Sequence, residues 1–273
     1  TTEIYTLSLH DALPIWGVHK DVFCLGNPDT IPFLKDVLKE VIELFPSPWI
    51  HIGGDEVPKD RWKACPKCQK KIKAENLADE HHLQIAFTNE MVDFLAQHHK
   101  LAIVWNEVTD ARLDTRTITQ FWKGSFEPIV GFLKLGGKTI ISPSRDYYVD
   151  IAYHITPLSR TYHFEPISEG THDAISKQIL GVEAEMWGEV FQSEEKMEFC
   201  AFPRTFAIAD TAWAPQRKKN FGEFMLTLQF YLALWNRFGI KYASLKDADP
   251  SKWAKIRGFF KKGFGAYLWK PPK

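Results

Sequence analysis

Five short apolar runs, at 49–52, 101–105, 117–122, 139–142 and 180–187, punctuate this 273-residue chain, and each ends in a polar or aromatic cluster. Segments of helical period lie between several of them. Leu34, Val37, Leu38, Val41, Ile42 and Phe45 recur three and four residues apart, and so do Leu83, Phe87, Met91, Phe94 and Leu95. That spacing gathers apolar side chains on one helix face. Asn27-Pro28-Asp29-Thr30 reads as a turn with a helix N-cap ahead of the first of them. Further helices are expected at 129–135, where Gly136-Gly137 supplies the stop, at 193–213 and at 221–238. Strands that alternate with helices pair in parallel, because a crossover helix returns the chain to the same end of the sheet. In closed barrels and open parallel sheets alike, the strands' C-terminal ends carry the functional residues.

Composition narrows the function classes. The chain holds 34 basic and 34 acidic side chains, a balance that argues against a nucleic-acid partner, which needs a basic face. No apolar run reaches the roughly 18 residues of a membrane helix, so no membrane span is expected. Four cysteines exclude a disulfide-built scaffold. Cys65-Pro66-Lys67-Cys68 has metal-ligand spacing, but a structural zinc needs two more ligands, and Cys24 and Cys200 read as lone residues. Cys65 and Cys68 read as plain loop cysteines or as a local disulfide, so no metal is expected, and no sequence motif calls for a cofactor. Ten Trp, eight Tyr and 20 Phe are the unusual feature, and such rings either fill cores or stack on the apolar faces of sugars.

The strand ends concentrate the chemistry. Asp55-Glu56 follows Gly53-Gly54 directly after the first run. The two glycines let the backbone bend sharply and let a ligand approach closely. Taken alone, the pair also suits a solvated turn with an N-capping Asp. The other strand ends add Trp105 with Glu107, Trp122, Tyr148 with Asp150, and Trp187 with Glu189. Carboxylates beside indole rings are a sugar-holding arrangement, since rings stack on C–H faces while acids take hydroxyls.

His51-Ile52-Gly53-Gly54-Asp55-Glu56 resembles the His-x-Gly-Gly-Asp-Glu signature of family-20 glycoside hydrolases, the β-N-acetylhexosaminidases. Val104-Trp105-Asn106-Glu107, Tyr148-Val149-Asp150 and Met186-Trp187-Gly188-Glu189 follow in the family's order, and Phe202-Pro203-Arg204 resembles the start of its last barrel helix. The resemblance implies an α/β fold of the (β/α)8 TIM-barrel type. A full barrel takes about 250 residues, so only about the last five β/α units are expected here.

The resemblance also implies exo-hydrolysis of terminal β-linked GlcNAc or GalNAc, with retention, from a glycan or chitooligosaccharide. The substrate's own 2-acetamido oxygen is the nucleophile, and an oxazolinium ion is the intermediate. Glu56 would be the general acid and then the base, with its pKa raised by Asp55 and by apolar walls. Asp55 would hold the acetamido N–H, and Tyr148 would donate to the acetamido oxygen. Trp105, Trp122 and Trp187 would wall the sugar, and Asp150 and Glu189 would bind its hydroxyls. Chitinases, which also use acetamido participation, alternate their acids along one strand, and the adjacent Asp55-Glu56 pair does not fit them. Periplasmic or extracellular placement is implied by the family. An inactive fragment or a weak carbohydrate binder is the alternative reading.

Two departures bear on domain organisation. The family's sugar-gripping Arg and its Pro-Gly-His motif have no counterpart in the chain. One choice of codons for residues 1–15 reproduces a common short-read sequencing adapter. Residues 1–15 are therefore expected to be a translated adapter, 16–242 a partial barrel, and 243–273 an extension.

Overall fold

A computed structural model describes residues 18, 20–167, 173–188, 191, 193–214 and 219–262. The adapter expectation falls on residues outside these. The elements run α1 (Thr30–Leu44), β1 (Trp49–His51), α2 (Asp60–Ala64), α3 (Pro66–Ala74), α4 (Glu80–Gln97), β2 (Leu101–Trp105), β3 (Ile118–Phe121), α5 (Glu127–Lys134) and β4 (Lys138–Ile141). They continue with α6 (Ser144–Tyr147), α7 (Leu158–His163), α8 (Asp173–Ser176), β5 (Ile179–Val182), α9 (Glu194–Ala201), α10 (Arg204–Trp213), α11 (Phe221–Arg237), α12 (Leu245–Ala248) and α13 (Lys252–Lys262).

The five strands form one sheet in chain order, β1-β2-β3-β4-β5, with β1–β2 and β2–β3 parallel. A doubly wound sheet reverses its strand order at a switch point, whereas a barrel adds each strand beside the last. The observed order is of the second kind. The chain divides into two compact units, one comprising Thr1–Ile140 and His172–Leu180, the other Ile141–Thr171 and Gly181–Lys273.

In the first unit, one face of β1 and β2 turns Ile50 and Ala102 onto Val92 and Leu95 of α4 and onto Leu38, Val41 and Ile42 of α1. Leu38, Val41, Ile42 and Leu95 are among the residues whose period marked the helices. Asp79 caps α4 by accepting the His82 amide at 2.9 Å. Asp29 precedes α1 without a side-chain cap bond, and Thr30 instead donates its hydroxyl to the Cys24 carbonyl at 2.9 Å. Gly136, at φ 98°, ends α5. Its amide reaches Leu133 O at 3.0 Å and that of Gly137 reaches Phe132 O at 3.1 Å, which satisfies two terminal carbonyls. The apolar run at 49–52 suits a buried strand, and within β1 Ile50 is the buried residue. The opposite face leaves Trp49 52% and Leu101 39% exposed.

In the second unit, α7, α10 and α11 enclose a core of Tyr162, Ala207, Phe224, Leu228 and Trp235. Phe206 packs its ring 4.5 Å from Tyr231 and 5.6 Å from Phe224. Much of the aromatic content is thus core. The single helix expected at 193–213 is two, α9 and α10, parted at Phe202-Pro203. Proline has no amide to continue the ladder, and its ring clashes with the preceding turn. The run at 180–187 keeps strand geometry only to Val182, and Glu185 then makes an isolated parallel bridge with Tyr148.

Leu95→Ala empties a fully buried position between α4 and the sheet, and it should lower the unfolding free energy by about 3 kcal/mol in urea titration. Leu44→Ala, at a position 74% exposed, should change it by less than about 0.5 kcal/mol.

Candidate active site

The turn after β1 carries the acid pair. Ile52 still pairs with the sheet, donating to Ile103 O at 2.9 Å, and Gly53 O accepts from Trp105 N at 3.0 Å. The chain then swings away through Gly53 at φ 73° and Gly54 at φ 101°, and Glu56 sits at φ 48°. A non-glycine residue in the left-handed region costs about 1–2 kcal/mol, and such cost gathers at functional turns. Gln84 of α4, itself buried, fixes the turn. Its Nε2 donates to Gly54 O at 2.9 Å, and its Oε1 accepts from Lys59 Nζ. Burial pushes the Lys59 ammonium down to about 8, against the pull of Asp79, Glu107 and Glu80.

The ends of β2 and β3 meet the same turn. Asn106 clamps them together, its Oδ1 accepting from Trp122 N and its Nδ2 donating to Lys123 O, both at 3.0 Å. Trp122 Nε1 donates to Glu107 Oε2 at 2.9 Å. The Trp105 and Trp122 rings stand edge to face with centroids 6.0 Å apart, and His51 lies 5.0 Å from Trp105. Lys123 Nζ lies 4.0 Å from the Trp122 ring centre, 3.1 Å from Glu56 Oε1 and 3.0 Å from Glu107 Oε1. Burial alone would lower its pKa, but its bonds to Glu107 and Glu56 hold it above the usual lysine value. The structure therefore brings Glu56, Trp105, Glu107 and Trp122 into one network, with Asp55 on the same turn.

Lys123 was not singled out in the sequence, where it stands as an ordinary strand-end cation beside Gly124. Among the described residues, Glu56 meets a cation where apolar walls were expected. Its side chain is 36% exposed and paired with Lys123.

The second unit holds Tyr148, Asp150 and Trp187. Tyr148 and Asp150 are buried, at 7% and 5% exposure, and the Tyr148 and Trp187 rings lie 6.2 Å apart. The segment between β4 and α7 bonds to the 185 region through Val149 N to Glu185 O at 2.9 Å. Arg204, fully buried, holds that segment from behind. Its guanidinium donates to the carbonyls of Val149, Ile151, Thr156 and Cys200, and it lies 3.9 Å from the Tyr153 ring centre. Glu189 lies outside the described residues.

Cys24, read as lone, lies with Cys65 and Cys68 in the first unit, its sulfur 3.5 Å and 3.7 Å from theirs. Its separation of 41 residues from Cys65 hid this in the sequence. Burial pushes the Cys68 thiol up to about 12. The neighbouring Cys68 amide holds Cys65 below the usual thiol range.

Arg204→Met should cost about 3 kcal/mol in denaturant unfolding, because several buried carbonyls lose their donor together. His51 accepts the Gly53 amide on Nδ1 at 3.0 Å, so the neutral ring fits the turn. Although the ring is open to solvent on one side, the protein packed around it holds its pKa down to about 4, with the Gln120 bond pulling partly back. The contribution of the neutral ring is whole above the ordinary value of 6.5 and is lost as pH falls through about 4. NMR titration of the His51 ring should give a midpoint near 4, and His51→Gln should flatten the loss of stability across that window.

Residues 8–216 match the family model described as Glycosyl hydrolase family 20, catalytic domain. A β-hexosaminidase of Porphyromonas gingivalis is 34% identical over 241 residues, 84% of this chain and 31% of that protein. The crystal structure of an exo-β-N-acetylglucosaminidase from Vibrio harveyi in complex with N-acetylglucosamine superposes with a TM-score of 0.75 at 26% identity, over 82% of this chain and 37% of that one. A Flavobacterium johnsoniae chitobiase superposes with a TM-score of 0.74 at 30% identity, over 82% of this chain and 34% of that one. The chain spans about a third of the length of its relatives from P. gingivalis (31%) and Vibrio furnissii (32%). With its strands laid down in chain order and its TIM-barrel-type neighbours, the chain belongs to glycoside hydrolase family 20 and carries part of that family's catalytic domain.

Proposed function

We propose that the protein to which this chain belongs is an exo-β-N-acetylhexosaminidase, releasing terminal β-linked GlcNAc or GalNAc from glycans or chitooligosaccharides. The observation that carries the reading is the Asp55-Glu56 pair, held on a left-handed turn beside Trp105 and Trp122 at adjacent strand ends. The names of the P. gingivalis relative and the V. harveyi structure, the latter with its bound N-acetylglucosamine, support it.

The chemistry follows from the sugar's 2-acetamido group. Its carbonyl oxygen attacks the anomeric carbon as the glycosidic C–O bond breaks, and Glu56 gives its proton to the departing oxygen. For that, the contact of Glu56 with Lys123 must give way to the glycosidic oxygen. Asp55 accepts the acetamido N–H and balances the oxazolinium charge. Water then attacks the anomeric carbon from the face the leaving group vacated and returns a proton to Glu56, so configuration is retained. By resemblance, Tyr148 donates to the acetamido oxygen, Trp105, Trp122 and Trp187 wall the sugar, and Asp150 and Glu189 take hydroxyls. Work on extracellular glycans goes with export to the periplasm or beyond, and no helix among the described residues is long and apolar enough to cross a membrane.

The competing reading is a chain that binds sugar weakly without turning it over. The exposure of Trp49 and Leu101 on one face of β1 and β2 favours it for this chain alone.

In the complete protein, Glu56→Gln should lower kcat on aryl N-acetylglucosaminides with poor leaving groups by about 10²–10⁴-fold. A thiazoline that mimics the oxazoline should inhibit competitively. Undiminished turnover by Glu56→Gln would overturn the assignment of the acid, and failure of the thiazoline would overturn acetamido participation.

A further inference from the structure

We propose that Cys24, Cys65 and Cys68 form a structural zinc site. The three sulfurs lie within 4.8 Å of one another, with Cys24 at 3.5 Å from Cys65 and 3.7 Å from Cys68. Tetrahedral zinc with Zn–S bonds near 2.3 Å sets its sulfurs about 3.8 Å apart. A disulfide needs about 2.05 Å and would use two of the sulfurs while leaving the third unmatched. The observed spacing is that of thiolates gathered round a common centre.

The surrounding backbone fits the same purpose. Cys65 immediately precedes α3, and Cys68 lies in its first turn after Pro66. The amides of Lys67 and Cys68 approach the Cys65 sulfur, and that of Gly26 approaches the Cys68 sulfur. Amide-to-sulfur bonds of this kind orient thiolate ligands and spread their charge. A Cβ on Gly26 would stand 2.2 Å from Lys67 C and 2.4 Å from Cys68 N, so the loop that carries Cys24 presses directly on the start of α3. Trp62 Nε1 of α2, donating to Phe23 O at 2.8 Å, ties the segment that carries Cys24 to the helix just before Cys65.

Binding exchanges three thiol protons for one zinc ion, and the protons pass to solvent. The three sulfurs fill three tetrahedral positions, and the fourth falls to a solvent water. The ion would tie the segment ahead of α1 to the connection between β1 and α4. That connection carries Asp55 and Glu56, nine residues before Cys65 in the case of Glu56. The role is structural and independent of the reaction proposed above.

Elemental analysis of the purified protein, dialysed against metal-free buffer, should find about one zinc per chain. Cys24→Ser, Cys65→Ser and Cys68→Ser should each cut this at least tenfold, and Cys200→Ser should leave it unchanged. Should those variants fold poorly, cobalt chloride added to the metal-stripped wild-type protein gives an independent reading. Tetrahedral thiolate ligation should produce sulfur-to-cobalt charge-transfer absorption and intense visible bands, both abolished by equimolar zinc. Reduced thiols with no retained metal and no cobalt spectrum would overturn the proposal. So would a peptide map of the native protein in which Cys24 is joined to Cys65 or Cys68 by a disulfide.

Discussion

A parallel strand loses its hydrogen-bond ladder where it ends, and every backbone group that leaves the ladder must find another partner. The loops that carry the acidic and aromatic residues are shaped by that requirement. Gln84 takes the Gly54 carbonyl, Asn106 takes one group from each side of the Trp122–Lys123 link, and Arg204 takes carbonyls from Val149, Ile151 and Thr156. In each case a side chain from a neighbouring element closes the account that the sheet leaves open. The site residues are therefore positioned by groups that do not themselves belong to the proposed chemistry.

The same logic explains why a strained turn persists at Glu56. Its left-handed backbone is offset by what surrounds it. Gly53 and Gly54 absorb the sharpest part of the bend at no steric cost. Gln84 anchors the turn from α4, and Lys123 holds the Glu56 carboxylate from the end of β3. The Lys123 pairs are partly exposed, so each contributes at most about 1 kcal/mol. Their weight lies in orientation more than in stability. A cation between two carboxylates and over an indole face also sets the local field at this turn.

The two units solve burial differently. In the first, α1 and α4 lay aliphatic side chains on β1 and β2, with Leu95 and Ala102 buried at their centre. In the second, helices pack on helices through rings, with Phe206, Phe224, Tyr231 and Trp235 in mutual contact. Arg204 is buried in the same unit because its charge is spread over a planar group that carbonyls and the Tyr153 face can both satisfy.

Local period carried much of the architecture. Apolar spacing located α1, α4, α5 and α11 and four of the five strands closely, since a helix face or a strand must repeat every few residues to be buried at all. It failed at Pro203, where one apolar period runs through two helices, and beyond Val182, where apolar residues continue after the ladder stops. The Gly-Gly-Asp-Glu turn was legible because its chemistry is contiguous. Lys123, Gln84, Arg204 and Cys24 were not, because their partners lie 67, 30, 53 and 41 residues away. Sequence by itself determined the order of strands and helices and the acid pair at a strand's end. Tertiary structure alone decided which distant side chains meet that pair and which cysteines meet each other, because such contacts depend on how whole helices pack and not on any spacing along the chain.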